Sequence, residues 1–456
     1  MKKANRTLFI LMYVFSMLVL EDVEIIGLKL AVFLLFVLAV VQAVNLIGQM
    51  RKEKRKLKIE YKTDLAMIVI LGFELISIIL KLFQNPLEGA VDYQFQVILL
   101  LIVFWYFFIK ETDELTYQHL DISLYICLAA MAFFLLYSLC DKRLVWLIDG
   151  ILENSGVSAS YLIIPCLICI VQYCMCRDKF RSVFYILAAC VSFFSLIVNH
   201  NIVSFWMMAF TFLAIPILFM PTAELVKRDM QMMFIFFFML SNMSLLTNYT
   251  LLFRNVPVFD LQSSVYLELL LAAGGIAFFH YWEHIPEGTD LNRLVLRKMH
   301  KIYRLTLVAA GIVFLGIIIG GDYFRTLPDG IGFNMVKGFA IPLVEEIKQT
   351  RSGFVECLQS SVGSWGLLLF WTVLVIEKMK KNYSFEKTMT SIFILFTIIF
   401  ILQCFFWMPS IHVLPFYIVM TVSAVSYKEE IKKVSGIKVN HLNLDNRNKI
   451  WEEFGK

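Results

Sequence analysis

The sequence predicts an all-α polytopic membrane protein with about 12–14 transmembrane helices, both termini in the cytoplasm and one long helical outer loop late in the chain. Composition is the first reason. Of the 456 residues, 59% are hydrophobic and only 17% are charged, whereas a soluble domain has about 25% charged residues. The second reason is that the apolar residues form long continuous runs. Disordered, collagen-like, coiled-coil and disulfide-rich secreted chains have other compositions, so these classes are excluded.

The apolar runs are the predicted spans. A transmembrane helix needs roughly 17–25 mostly apolar residues, and most of the runs approach this length, although the first and the fourth are short. Lipid offers the backbone no hydrogen-bond partner, so the runs should be helices, and their lack of alternation argues against a barrel. The predicted spans are residues 7–20, 25–47, 65–83, 97–109, 120–140, 159–176, 183–199, 202–220, 230–248, 264–282, 305–320, 363–376, 387–407 and 411–427.

The distribution of Lys and Arg gives the orientation. With the N-terminus inside, the basic connections fall in the cytoplasm, at residues 51–62, 177–181, 227–228, 293–304 and 378–381. Acidic or neutral turns fall outside, at residues 21–24, 84–96, 199–201 and 408–410. We therefore predict one transmembrane helical domain over residues 1–427, with an outer loop at 321–362, and a cytoplasmic tail at 428–456.

Basic side chains on the predicted outer side are candidates for substrate binding. Arg325, Lys337 and Arg351 lie in the outer loop 321–362, and Arg254 lies in the preceding outer loop. The Arg guanidinium presents a fixed fork of donors that suits phosphate, so one interpretation is an anion site at the membrane surface. The other interpretation is that these residues are solvated loop charges, balanced by acidic neighbours.

Ionisable residues inside the predicted spans are few, and charge in a bilayer is costly, so each is a functional candidate. Glu74 lies near the middle of its span and should face protein or water. Lys29, Lys81 and Glu268 lie close to the outer ends of their spans, where long side chains can reach the interface. Glu268 could act as a carboxylate base or orient a sugar hydroxyl, and His200 follows a span on the outer side.

No cofactor is predicted. Cys166, Cys169, Cys174 and Cys176 crowd one span, but no His lies near them, and Cys packs as a small hydrophobic residue in such places. We therefore predict packing and no metal. The sequence has no Gly-rich phosphate loop, HExxH or GxSxG motif, so neither nucleotide-driven chemistry nor a nucleic-acid partner is expected.

Residues 352–370 read SGFVECLQSSVGSWGLLLF. This segment and the span layout resemble the bacterial O-antigen polymerase and O-antigen ligase superfamily, in which the outer loop ends in a His-Asn motif followed by Gly-x-x-Gly-Leu. Gly363 and Gly366 match the two glycines, and small residues there let the entering helix pack closely against its neighbours. The chain departs from the family at two points. The family His would fall near Ser352, and the family Ser-Arg would fall near His200 and Asn201.

The resemblance implies a polymerase-like membrane glycosyltransferase that joins polyprenyl-pyrophosphate-linked oligosaccharide units at the outer face of the cytoplasmic membrane, for synthesis of a surface polysaccharide. Such an enzyme needs a base or orienting group and cations for the leaving pyrophosphate. The implied partners are the lipid-linked oligosaccharide, the bilayer and polysaccharide-assembly proteins. The residues nominated are His200 and Glu268 for catalysis, and Arg254, Arg325, Lys337 and Arg351 for the pyrophosphate.

Two other functions remain open. A multispanning transporter or flippase of lipid-linked sugar predicts charges deep in several spans; the mid-span charge here is nearly confined to Glu74, although Asn45, Asn242 and Gln403 leave room for a polar path. A non-catalytic membrane assembly subunit is the other alternative, because the family His and Arg would then be dispensable.

Overall fold

The structure is a computed structural model that is almost entirely helical in the part of the chain it describes. It describes residues 7–8, 10–12, 24–25, 28–54, 62–84, 94–111, 124–129, 155–176, 178–199, 201–218, 223–249 and 388–406, and the positions 305, 309, 312, 341, 366, 369–370, 373, 413, 416–419 and 422. The predicted helical class is confirmed. The total number of spans, the sides on which the termini lie, the outer loop and the cytoplasmic tail stay predictions.

A short β-hairpin opens the first group of elements. Strands β1 (Glu24–Ile25) and β2 (Leu28–Lys29) pair antiparallel, and helix α1 (Leu30–Glu53) follows directly. The predicted helix start at residue 25 was therefore wrong, and Lys29 lies in a strand before the helix. A short apolar run fits a strand and a helix end equally well, so the sequence pattern could not separate them.

Two further helices complete the first group. Helix α2 (Lys62–Gln84) and helix α3 (Gln94–Glu111) contact each other, and α3 also contacts α1. Both helices extend beyond the apolar runs 65–83 and 97–109 by a few polar residues. Hydropathy marks only the apolar part of a helix, whereas backbone hydrogen bonds continue into the interface.

Five helices form the second group: α4 (Ser155–Met175), α5 (Lys179–Val198), α6 (Ile202–Leu218), α7 (Ala223–Tyr249) and α8 (Thr388–Phe406). Residues 176–178 connect α4 to α5, and because these two helices contact each other along their lengths they are antiparallel neighbours. Residues 199–201 connect α5 to α6. Helix α8 contacts α6 and α4. Helix α5 ends at Val198 and α6 begins at Ile202, in agreement with the predicted break between two spans; that this connection lies outside stays a prediction.

Aromatic packing holds the middle of the second group. The Phe236 ring of α7 lies edge-on to Phe193 of α5 at 5.2 Å between centroids, and to Phe205 of α6 at 6.3 Å. Phe212 completes the cluster, 5.9 Å from Phe236. These edge-to-face contacts between rings of three helices stabilise their packing beyond the burial of apolar surface.

Three helices among the described residues are long and apolar enough to cross a membrane: Val32–Glu53, Ser158–Met175 and Lys179–Val198. The helix Val203–Ile215 is apolar but shorter. Most of Ser158–Met175 is buried inside the protein, whereas α1 exposes a stripe of large apolar side chains. Exposed apolar stripes on helices of this length are typical of lipid-facing surfaces.

Candidate functional site

All six nominated site residues lie outside the described residues. They are His200, Glu268, Arg254, Arg325, Lys337 and Arg351. The structure therefore neither brings them together nor separates them. The side chain of Lys81 also lies outside the described part, although its backbone belongs to α2.

The structure describes Asn199 and Asn201, the two residues next to position 200. Asn201 caps the N-terminus of α6, because its Oδ1 accepts a hydrogen bond from the Ser204 backbone N–H at 3.2 Å. The Ser204 hydroxyl donates to the Asn201 carbonyl oxygen at 2.6 Å. Asparagine is among the best residues for this role. Asn199 and Asn201 are both buried, so the nominated His200 has buried amide side chains before and after it in the sequence.

Three buried polar side chains lie towards the predicted outer ends of α4, α6 and α8, and we call them the outer polar group: Ser158, Asn201 and Gln403. The Ser158 Oγ, the Asn201 Nδ2 and the Gln403 Nε2 make no hydrogen bond within the described ranges. The three helices contact one another in pairs. A buried polar atom that makes no hydrogen bond costs about 1–3 kcal/mol, so such atoms often indicate a place that water or a ligand completes.

The opposite ends of α4 and α7 are joined by a polar network around Arg228. Its guanidinium donates to the Tyr173 carbonyl oxygen at 2.9 Å and to the Cys176 carbonyl oxygen. It also lies over the Tyr173 ring, 5.4 Å from the centroid. The Tyr173 hydroxyl donates to Gln231 Oε1 at 2.6 Å. Arg228 thus satisfies carbonyl groups at the C-terminus of α4, which is the negative end of that helix.

Asp229 is buried beside this network and lies one residue before the predicted span 230–248. Its Oδ1 makes no hydrogen bond to the residues that the structure describes. Burial raises the pKa of the Asp229 carboxyl well above its ordinary value, because the charged form is poorly solvated there. The carboxyl therefore holds its proton to higher pH than a surface aspartate does.

A second polar network joins α2 to α3. Asp64 is completely buried; it accepts hydrogen bonds from the Tyr106 hydroxyl at 2.9 Å and from the Lys110 ammonium at 2.5 Å. Asp64 is in the first turn of α2 and Lys110 in the last turn of α3, so each charge also faces the favourable end of its helix dipole. The sequence pattern did not single out this pair, because Asp64 precedes the apolar run 65–83 by one residue.

The first group of helices also buries polar residues at mid-span. Gln42 of α1 accepts a hydrogen bond from the Trp105 indole at 3.2 Å, and its Nε2 donates to the Leu8 carbonyl oxygen at 3.1 Å. Glu74 is only 1% exposed, so the prediction that it faces protein or water is confirmed. Nothing in the one-dimensional pattern distinguished Gln42 from a lipid-facing glutamine, since its partner lies on another helix.

Of the two glycines that support the family resemblance, Gly366 is among the residues that the structure describes. A Cβ atom added there would come within 3.0 Å of the Ile70 Cγ1. That distance is tighter than a relaxed contact, so any larger residue here would require the Ile70 side chain to move. Close packing at Gly366 was expected from the sequence and is found.

Cysteines occupy the core of α4. Cys166 and Cys169 are buried, and the Cys166 thiol donates to the Leu162 carbonyl oxygen at 3.2 Å within the same helix. The cysteines that the structure describes are free thiols. Within the same ranges, no group of three or more His, Cys, Asp or Glu side chains is arranged to hold a metal ion.

Comparison of the chain with protein-family models, with curated proteins and with solved structures gives no match. The resemblance to the O-antigen polymerase and ligase superfamily therefore remains an expectation from the sequence.

Proposed function

We propose that this chain is a polymerase-like membrane glycosyltransferase that joins polyprenyl-pyrophosphate-linked oligosaccharide units at the outer face of the cytoplasmic membrane. The observation that carries the proposal is the outer polar group, in which a hydroxyl and two amides are buried with hydrogen-bonding capacity to spare. Sugar hydroxyls both donate and accept, so amide and hydroxyl side chains in a largely apolar site suit them.

The reaction needs few groups. The acceptor hydroxyl oxygen attacks the anomeric carbon of the donor sugar, and the bond from that carbon to the pyrophosphate oxygen breaks. The hydroxyl proton passes to a base, for which His200 and Glu268 are proposed. The pyrophosphate leaves with the bonding electrons, and Arg254, Arg325, Lys337 and Arg351 are proposed to stabilise its charge.

The test uses cells in which the gene is deleted and replaced by variants, with surface glycan chain length as the measurement. Replacing Asn201 by Ser, which keeps the cap of α6, together with Gln403 by Ala should shorten the glycan while the protein accumulates normally. Asn242→Ala is the matched control, because the Asn242 amide donates to the Phe238 carbonyl oxygen of its own helix at 2.7 Å, on an exposed face. Full-length glycan in the double variant would remove the outer polar group from the proposal.

The nominated cations have a test of their own. Replacing Arg325 and Arg351 together by Ala should also shorten the glycan, since the leaving pyrophosphate would lose two of its proposed partners. Purified double variant incubated with lipid-linked oligosaccharide, extracted from membranes of the deletion strain, should make little or no product. An unchanged glycan and an unchanged product yield would retire the pyrophosphate assignment.

A second candidate function is transport of a lipid-linked sugar across the membrane. Asp64 and Glu74 are both buried in α2, and Lys110 is nearly so in α3, which adds buried charge of the kind that transporters place along a pathway. The two functions leave different products. Loss of a polymerase leaves lipid-linked units at the outer face, where an added lectin reaches them in spheroplasts, whereas loss of a flippase leaves them inside.

A further inference from the structure

The α5 helix carries one continuous exposed apolar stripe. Phe180, Val183, Leu187 and Val191 are all exposed, with Phe180 at 84%. Their spacings of three or four residues place them on one side of a helix. The other side of α5 is buried and includes Tyr185, Ala189 and Phe193. Since α5 is one of the three helices that can cross a membrane, the stripe identifies its lipid-facing side.

Two cations flank the ring at which the stripe begins. Lys179 and Arg181 are exposed on either side of Phe180. They lie in the first turn of α5, which has no acidic residue. The N-terminus of a helix is its positive end, so cations there oppose the macrodipole. Helix stability therefore does not account for them.

The local anion does not account for the cations either. Asp178 caps α5 by accepting a hydrogen bond from the Phe180 backbone N–H at 3.1 Å. The Arg181 Nε lies 3.9 Å from the Asp178 carboxylate, and both side chains are more than half exposed. An exposed pair at this distance is weak. Within the described ranges, Lys179 and the remaining guanidinium donors of Arg181 meet no other anion, so a negative charge on a ligand can bind them.

We propose that the first turn of α5 binds an anionic phospholipid of the leaflet on that side of the membrane. Lys179 and Arg181 lie on the two flanks of the stripe, and either long side chain can reach a lipid phosphate at this depth. The acyl chain of the lipid follows Val183, Leu187 and Val191, and the Phe180 ring packs at the boundary between headgroup and chain. Basic residues next to a span attract anionic lipid, and aromatic and long basic side chains suit this depth. The inference rests on α5 being a span and is independent of the glycosyltransferase proposal.

A soluble protein partner fits this surface less well. The stripe runs along a candidate span from its first turn and exposes aliphatic side chains, so a lipid chain covers it without leaving polar groups unsatisfied. The charge is concentrated at one end of the stripe only. A lipid has the same distribution, with one charged end and an apolar length.

The experiment measures thermal unfolding of the purified full-length chain in neutral detergent, with phosphatidylglycerol or phosphatidylcholine added. Phosphatidylglycerol should raise the unfolding midpoint of the wild type more than phosphatidylcholine does, because a ligand that binds the native state stabilises it. Replacing Lys179 and Arg181 by Gln should remove most of this difference. Exchanging the two charges, Lys179→Arg with Arg181→Lys, should keep it.

The matched control is Arg51→Gln with Lys52→Gln, two exposed cations in the last turn of α1. This variant should keep the phosphatidylglycerol difference. If both neutralised variants lost the phosphatidylglycerol difference equally, the lipid would be attracted by positive charge in general and not by a site at α5. That result would overturn the proposal. So would equal shifts with the two lipids in the wild type, or a full difference after Lys179 and Arg181 are neutralised.

Discussion

The Arg228 guanidinium donates a hydrogen bond to the Tyr173 carbonyl oxygen at 2.9 Å and lies over the ring of the same tyrosine. One side chain from the start of α7 thereby satisfies the C-terminal backbone of α4 and packs against its last aromatic residue. The contact joins two helices that are far apart in sequence. Helix α7 begins at Ala223, several residues before its apolar run, and Arg228 lies in that polar first part.

The first prediction concerns this contact. Arg228→Ala should lower the free energy of unfolding by roughly 1–3 kcal/mol, because buried carbonyl groups of α4 lose their donor. Arg228→Lys should recover only part of the loss, since an ammonium lacks the planar guanidinium that lies over the Tyr173 ring. Thermal unfolding in detergent measures both. The neighbouring Lys227→Ala serves as the control and should be close to neutral, and equal losses in the two alanine variants would contradict the prediction.

The second prediction concerns the buried pair in the first group of helices. Asp64→Ala should lower the free energy of unfolding by about 3–5 kcal/mol, because the Lys110 ammonium would stay charged in a buried site without the carboxylate that pairs with it. Adding Lys110→Met should recover much of the loss, since a buried pair can often be replaced by apolar side chains. Arg181→Gln, which breaks an exposed pair, should cost about 0–1 kcal/mol. A double variant no more stable than Asp64→Ala would show that the pair is not the source of the effect.

The sequence predicted the helix centres but not their polar ends. Asp64 and Asp229 each lie one residue before an apolar run, so a hydropathy window assigns them to connections, although both are buried. Burial of Glu74 was predictable because the residue sits inside its run. The hairpin at residues 24–29 was not, since its strands are too short to show a period. The hydrogen bond of Gln42 with Trp105 depends on helix packing, which a single sequence does not contain.

The third prediction tests the glycine of the resemblance. Gly366→Ala should destabilise the protein by about 1–3 kcal/mol, because the new methyl group would overlap Ile70. Pairing it with Ile70→Ala should relieve the overlap and recover part of the loss. Gly48 and Gly72 are matched controls, since an added Cβ has nothing within 4 Å at either position. Replacing these helical glycines by Ala should be neutral or stabilising by up to about 1 kcal/mol.

The fourth prediction is a dependence of stability on pH. Burial raises the pKa of Asp229 in the folded protein above its value in the unfolded chain. The folded state therefore binds the proton more tightly, and the stability that this contributes is complete at acidic pH and is lost as pH rises through the raised pKa.

Asp229→Asn mimics the neutral carboxyl at every pH, so its unfolding midpoint should vary less with pH than that of the wild type and should exceed it at mildly alkaline pH. Asp178→Asn is the control, because its side chain is exposed and asparagine keeps the helix cap. This control should follow the wild-type pH profile. If the Asp229→Asn and wild-type profiles run parallel from mildly acidic to mildly alkaline pH, the carboxyl at position 229 ionises as a surface aspartate does, and its burial has no energetic consequence.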